Sequence, residues 1–141
     1  MKIDLEGEVN KRIEEISHQV KSRATRASNE LRVSALNVLS NRRKRSGKEY
    51  RKPFTKNITY TASAPGEPPA LRTGNLRVSW RSMAVSERMD KDLTVRPAIT
   101  TDVKYAPWLD EGTDTIDPRP IEKPIIEDAI PRIRKIFDEQ Y

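Results

Sequence analysis

The first 41 residues carry a regular apolar pattern that predicts one long helix. Apolar and small side chains recur every three or four positions, at Leu5, Val9, Ile13, Ile16, Val20, Ala24, Ala27, Leu31, Ala35 and Val38. The spacing 4-4-3 repeats every 11 residues, which corresponds to about 3.67 residues per turn and a nearly straight stripe. We therefore predict a single helix over residues 4–41.

This helix is longer than the rest of the chain can cover. At 1.5 Å per residue it extends about 57 Å, whereas the remaining ~100 residues form a globule about 30 to 35 Å across. Either the helix breaks or part of its stripe packs on another chain. We favour packing between subunits, with Ile16 and Val20 at the contact. The alternative is a helix packed on its own sheet, with one end fraying.

The rest of the chain predicts short strands followed by a final helix. Alternating apolar and polar residues indicate strands at Asn57–Ser63 and Leu93–Ile99, and a further strand is expected between Val78 and Val85. Residues 121–141 form a helix in which Pro131 makes a kink or break. The predicted fold class is α+β, with a long N-terminal helix, a small antiparallel β-sheet and a C-terminal helix. One domain is expected over residues 1–141, divided into 1–41 (helix), 42–56 (basic loop), 57–120 (β-rich core) and 121–141 (helix).

A proline-rich arm, residues 64–70, lies within the predicted β-rich core. Three prolines in residues 64–69 exclude helix and predict a stiff, extended segment about 19 Å long. Gly74 then permits a backbone φ that other residues avoid, with Thr73 as the expected cap of a short helical turn and Leu76 facing inwards. A second helical turn is expected over residues 106–112, closed by Gly112.

Charge is distributed unevenly along a chain whose formal net charge is +6. Residues 42–60 carry eight basic residues against one acid, a balance of +7, whereas residues 110–141 carry five against nine, a balance of −4. The middle can therefore contact DNA phosphates or an acidic protein surface, and we favour the protein surface. The candidate contact residues are Arg42, Arg43, Lys44, Arg45, Lys48, Arg51 and Lys52.

Composition and motifs argue against an enzyme. The absence of cysteine excludes disulfides and zinc–thiolate sites. No nucleophile–base signature is present, and His18, the one histidine, has no second candidate ligand nearby. The acids of residues 110–117 miss the spacing of a calcium loop. We expect no catalytic residues, no metal and no cofactor. No apolar run approaches the ~20 residues that span a bilayer, and no signal peptide is expected.

Two ordered motifs carry a resemblance to a known family. Residues 64–70, Ala-Pro-Gly-Glu-Pro-Pro-Ala, precede Arg-Thr-Gly-Asn-Leu-Arg at 72–77, and Tyr-Ala-Pro-Trp-Leu-Asp-Glu-Gly-Thr at 105–113 precedes Pro-Arg-Pro at 118–120. This arrangement resembles the tail-completion or neck proteins of long-tailed bacteriophages. The resemblance implies a structural virion protein, not an enzyme, which forms a six-fold or twelve-fold ring of identical subunits at the head–tail interface.

Partners follow from the same resemblance. Such a ring joins the DNA-filled head connector to the tail, contacts head-connector and tail-terminator proteins and lets DNA pass, after assembly in the host cytoplasm; no membrane is involved. Beside Ile16 and Val20, the expected interface residues are Pro68, Pro69, Arg72, Thr73, Gly74, Leu76, Arg77, Tyr105, Trp108, Glu111, Gly112, Thr113, Arg119 and Pro120. We expect Glu111 to pair with Arg72, Arg77 or Arg119, within or between subunits. The alternative function is nucleic-acid binding through residues 42–56.

Overall fold

The computed structural model describes residues 1, 4–40, 43–89 and 92–141. Arg42, one of the predicted contact residues, lies outside this set. The chain forms an α+β fold, as predicted, with a long first helix and a helix at its C-terminal end. Its elements in order are α1 (Leu5–Val38), β1 (Glu49–Arg51), β2 (Thr59–Thr61), α2 (Asn75–Val78), β3 (Arg81–Met89), β4 (Asp92–Thr100), α3 (Ala106–Glu111) and α4 (Glu122–Phe137).

Helix α1 is continuous over its 34 residues, which confirms the helix expected from the 11-residue pattern. Its first turn is capped by Asp4, whose carboxylate accepts the backbone N–H of Gly7 at 3.0 Å. Burial is confined to the second half of the helix, where the first fully covered residue is Arg23. The stripe therefore packs on its own chain only from the middle of the helix onwards.

The β-structure consists of two separate two-stranded antiparallel sheets, where the sequence predicted one. Strands β3 and β4 form a regular hairpin that lies along α1. Ser28 of α1 fixes this hairpin, because its hydroxyl donates to Met83 O at 2.7 Å and accepts the N–H of Ala98 at 3.2 Å. These two hydrogen bonds position β3, the strand expected between Val78 and Val85, and its partner β4 on α1.

Strands β1 and β2 form the second hairpin, which begins in the segment predicted as a basic loop. Glu49 pairs with Thr61 and Arg51 with Thr59, so the loop prediction is wrong for residues 49–51. The strand predicted over residues 57–63 is shortened to β2 and joins β1 instead of the core. The basic segment contains few apolar residues, and its strand character comes from pairing with β2, which local sequence does not reveal.

Helix α4 packs against α1 and runs without interruption through Pro131. Of the predicted kink or break at Pro131, the break is therefore wrong, and the kink stays a prediction. Proline removes one intrahelical hydrogen bond, but the helix has a strong reason to continue, since Ala129 and Ile136 on either side are buried. The core between these layers contains Ala35, Val38, Leu39, Leu76, Ala106, Ile121 and Ile125.

Polar contacts join α4 and the residues that follow it to the middle of α1. The buried Arg23 guanidinium donates to Phe137 O at 3.2 Å and Gln140 O at 2.9 Å, and it stacks 3.8 Å from the ring centroid of Tyr141. Arg132 of α4 pairs with Glu30 of α1 at 2.6 Å. No helix in the described part of the chain has the length and apolar character needed to cross a bilayer.

Candidate assembly surfaces

The proline-rich arm turns back on itself instead of extending. The N–H of Glu67 donates to Ala64 O at 3.1 Å, and Gly66 has a φ of 84°. A proline followed by a glycine with positive φ is typical of a tight turn. The predicted straight arm of about 19 Å is therefore wrong, because Gly66 supplies the conformation that prolines alone would not allow.

Glu67 joins this turn to the start of the basic segment. Its carboxylate accepts the N–H of Ser46 at 3.0 Å, the N–H of Ala64 at 2.9 Å and the hydroxyl of Ser46. These hydrogen bonds, led by the one from the Ser46 hydroxyl, lower the pKa of Glu67 to about 2. Arg45 adds a second connection, since it donates to Val38 O at 2.8 Å and to Pro69 O at 3.2 Å. The arm is thus held by the residues that follow α1.

The first motif forms a short helix that is anchored on α1. Gly74 is the residue before α2 and has a φ of 86°, as its predicted role requires. Thr73 does not cap this helix, so that prediction is wrong; Gly74 occupies the capping position itself and Thr73 is exposed. Leu76 is buried in the core, and Arg77 donates from Nε to Leu36 O at 2.9 Å. Both side chains therefore have partners within the chain.

The second motif ends helix α3 and begins helix α4. Gly112 follows α3 with a φ of 79°, which confirms the predicted end of that turn. Asp110 accepts the backbone N–H groups of Ile121 at 2.6 Å and Glu122 at 3.2 Å. It therefore caps α4 from another element. The sequence analysis did not predict this role. The one local indication is that neither Pro120 nor Ile121 has a side chain that could cap the helix.

The structure brings the two motifs into direct contact. Gly66 donates its N–H to Pro118 O at 3.0 Å. Arg119 donates from Nε to the Ser63 hydroxyl at 3.1 Å and from its N–H to Leu109 O at 2.6 Å. A cavity of about 460 Å³ lies where the first motif meets Tyr105 and Leu109. The two segments form one continuous surface.

Residues of this surface differ in how far they are available to a partner. Trp108 is 60% exposed and Tyr105 is 42% exposed. Arg72, Thr73, Glu111 and Thr113 are also exposed, Pro68, Gly74, Gly112 and Pro120 are half-buried, and Pro69 is buried. Within the described chain, Glu111 makes no ion pair with Arg72, Arg77 or Arg119. A pairing between copies remains a prediction.

Residues 43–61, here called the basic hairpin, contain β1 and β2, and among the described elements these two strands make extensive contacts only with each other. Arg43 pairs with Asp128 at 3.0 Å, and Arg45 donates to Val38 O at 2.8 Å, so both arginines have partners within the chain. Lys44, Lys48 and Arg51 are exposed and Lys52 is half-buried. At its tip Phe54 is fully exposed, with a φ of 61° that is rare for a bulky residue.

Residues 4–15, here called the N-terminal overhang, lie at the end of α1 that is distant from the basic hairpin. Leu5, Val9 and Ile13 are 72%, 49% and 45% exposed, whereas the half-buried Ile16 and Val20 lie nearer the packed part of α1. The exposed part of the stripe, from Leu5 to Ile13, therefore ends three residues before the predicted contact at Ile16 and Val20. Apolar residues continue at helical spacing through the overhang, but no described residue buries this part of the stripe.

A separate cavity of about 740 Å³ lies between α1, the end of β4, α3 and α4. The Nε1 of Trp80 is buried beside it without a hydrogen-bond partner. Carboxylates of Asp102, Asp110, Glu111 and Glu122 line the cavity. Among residues that the structure describes, no group of three or more histidine and acidic side chains is placed to hold a metal ion.

Comparisons with known proteins found no matching family, no similar curated protein and no similar solved structure.

Proposed function

We propose that this protein is a structural subunit of a bacteriophage neck, which forms a closed ring joining the DNA-filled head to the tail and letting DNA pass. The proposal rests on the two ordered motifs, residues 64–77 and 105–120. What supports it in the structure is that the N–H of Gly66 donates to Pro118 O at 3.0 Å, which joins these two segments into one surface. Rigid surfaces lose little conformational entropy when they bind.

The observation that carries the proposal is the exposed stripe of the N-terminal overhang. In a monomer, Leu5, Val9 and Ile13 expose apolar surface to water along one face of the helix, and such a patch marks an interaction site. Covering each of these half-exposed side chains contributes on the order of 1 kcal/mol to association. Subunits in a ring would supply that cover.

The test is assembly without nucleic acid. The purified chain is examined by negative-stain microscopy after nuclease treatment and removal of DNA. A closed ring of uniform diameter supports the neck proposal. A population of monomers or open chains at every salt concentration argues against it.

A second candidate function, binding of nucleic acid, is favoured by the exposed cations and aromatic residues of the basic hairpin. Phosphate contacts would make its affinity fall steeply with salt. Lys48→Gln, Lys52→Gln and Lys56→Gln in one chain test this, because they leave the internal contacts of Arg43 and Arg45 intact. Loss of salt-sensitive DNA binding, with ring formation unchanged, would favour the second function.

A further inference from the structure

The N-terminal overhang and the basic hairpin have opposite charges, and both carry exposed apolar side chains. The N-terminal overhang has five acidic residues against two basic ones, a net charge of −3. Arg12 is paired with Glu15 at 3.2 Å, and Glu6, Glu8 and Glu14 make no ion pair with any residue that the structure describes. The basic hairpin has seven basic residues against one acid, a net charge of +6.

The basic hairpin also offers an apolar face. The ring centroids of Tyr50 and Tyr60 are 6.1 Å apart across the two strands. Ile58 is 57% exposed, and Lys52 N–H donates to its carbonyl oxygen at 2.7 Å, which continues the ladder beyond the strands. Because side chains alternate along a strand, Ile58 lies on the same face as Tyr60. A two-stranded hairpin this short is marginal alone, so cover on this face would stabilise it.

These two regions cannot meet within one chain. Helix α1 separates them, and the distance from Leu5 to Val38 along its axis is about 50 Å. The basic hairpin begins beyond the C-terminal end of α1, where Arg45 is bonded to Val38 O. Complementary regions at opposite ends of a rod join one copy to the next head to tail, and such contacts form rings or filaments.

We propose that the N-terminal overhang of one copy docks on the basic hairpin of the next copy. Leu5, Val9 and Ile13 cover the apolar face of the hairpin, while the overhang's carboxylates face its lysines. This inference rests on the proposed function, because it names the contact by which subunits of the ring join. The contact is directional, so every copy uses both regions and only the closed ring leaves neither one free.

Charge disfavours the cavity beside Trp80 as an alternative docking site for the overhang. The cavity beside Trp80 is large enough for apolar side chains, but four carboxylates and one lysine, Lys104, line it. Arg81 pairs with one of the carboxylates, Asp102, so that Asp110, Glu111 and Glu122 give the cavity its negative charge. An overhang with a net charge of −3 is repelled there. The same net charge disfavours docking of two overhangs on each other.

The contact is tested by cross-linking chains that each carry one cysteine. The natural chain has no cysteine, so each introduced thiol is the only one present. Val9→Cys chains are mixed with Ile58→Cys chains and treated with a short bis-maleimide linker. The expected result is a dimer made of one chain of each kind, with little dimer from either variant alone. Ile126→Cys, on the exposed face of α4, serves as the matched control partner and is expected not to link to Val9→Cys.

Charge exchange supplies the second arm. Glu6→Lys with Glu8→Lys, or Lys52→Glu with Lys56→Glu, is expected to reduce the cross-linked fraction more than about tenfold. Combining the two reversed pairs in partner chains is expected to restore it. Reversal at Asp114 and Glu122, in the acidic C-terminal third, is the control and leaves linking unchanged.

The outcomes separate this contact from the ring itself. Links between Val9 positions, or links lost on reversing Asp114 and Glu122 but not Glu6 and Glu8, overturn the proposed contact while leaving a ring possible. A closed ring without the Val9–Ile58 link does the same. Specific linking without any closed ring supports the contact and contradicts the neck function. DNA binding lost on Lys52→Glu and Lys56→Glu, together with no Val9–Ile58 link between chains that lack these reversals, assigns the hairpin to nucleic acid and overturns the contact.

Discussion

The backbone N–H of Gly66 donates to the carbonyl oxygen of Pro118 at 3.0 Å and thereby joins the two motif segments. Gly66 reaches this position with a φ of 84°, and no atom lies within 4 Å of where a Cβ would be. At Gly112 the φ is 79°, and a Cβ would lie 2.8 Å from Ile116 O. A side chain at Gly66 would therefore meet only the cost of a positive φ, whereas a side chain at Gly112 would meet that cost and a steric clash.

Gly66→Ala is expected to lower the free energy of unfolding by about 1 to 2 kcal/mol, the cost of a positive φ for alanine. Gly112→Ala is expected to cost more, because the clash adds to the same backbone cost. Gly66→Asn is the control and should lose less, since asparagine tolerates positive φ better. Denaturant unfolding measures all three. Equal losses for the two alanine variants would contradict this account.

Glu67 should make stability depend on acid pH. Its pKa is lowered from 4.5 to about 2 in the folded chain, so the fold stabilises the ionised carboxylate. This stabilisation is complete above the unfolded pKa and is lost as pH falls from about 4.5 towards about 2. The difference in unfolding free energy between the natural chain and Glu67→Gln should therefore shrink over that range. Glu111→Gln, at an exposed carboxylate, is the control; a difference independent of pH would count against the assignment.

Arg132 should hold α4 on α1. It donates from Nε to Glu30 at 2.6 Å and from a terminal nitrogen to the hydroxyl of Ser34. Arg132→Met is expected to cost about 1 to 2 kcal/mol of unfolding free energy. This lies below the cost for a fully buried pair because 38% of the side chain is exposed. Arg134→Met, at an exposed position two residues on, should change stability little; similar losses in both variants would remove the special role of Arg132.

The exposed stripe should matter for assembly and not for folding. Val9→Asp should leave the melting temperature of the monomer unchanged, because Val9 is 49% exposed and has no cover in its own chain. It should abolish oligomers, since a carboxylate would face the apolar surface of the next copy. Val33→Asp is the matched control, because Val33 is 43% exposed on the same helix but lies off the stripe. Sedimentation velocity compares them, and oligomers that survive Val9→Asp would exclude the stripe as an interface.

Local chemistry made much of this fold predictable. The 11-residue spacing gave the extent of α1 to within three residues, and Gly74 and Gly112 both adopt the positive φ expected of them. Strand β4 was predicted from its alternation because one of its faces is partly covered. In each case neighbouring residues in the sequence determine the structure.

The errors occurred where distant residues decide. Pro131 does not break α4, because packing on α1 outweighs the lost hydrogen bond. Strand β1 depends on pairing with β2, and Asp110 caps a helix that starts twelve residues later. The contact that joins the two motifs, Gly66 with Pro118, and the nearby contact of Arg119 with Ser63 likewise depend on the tertiary fold. No local pattern indicates any of these relationships.

The central claim is that this chain closes into a ring through its own surfaces, and native mass spectrometry of the DNA-free protein tests it most directly. Each chain has a mass of 16.2 kDa. The account predicts one dominant species at six times 16.2 kDa, about 97 kDa, or at twelve times that mass, about 194 kDa. Only monomers, or a ladder of masses without a preferred closed number, would contradict it.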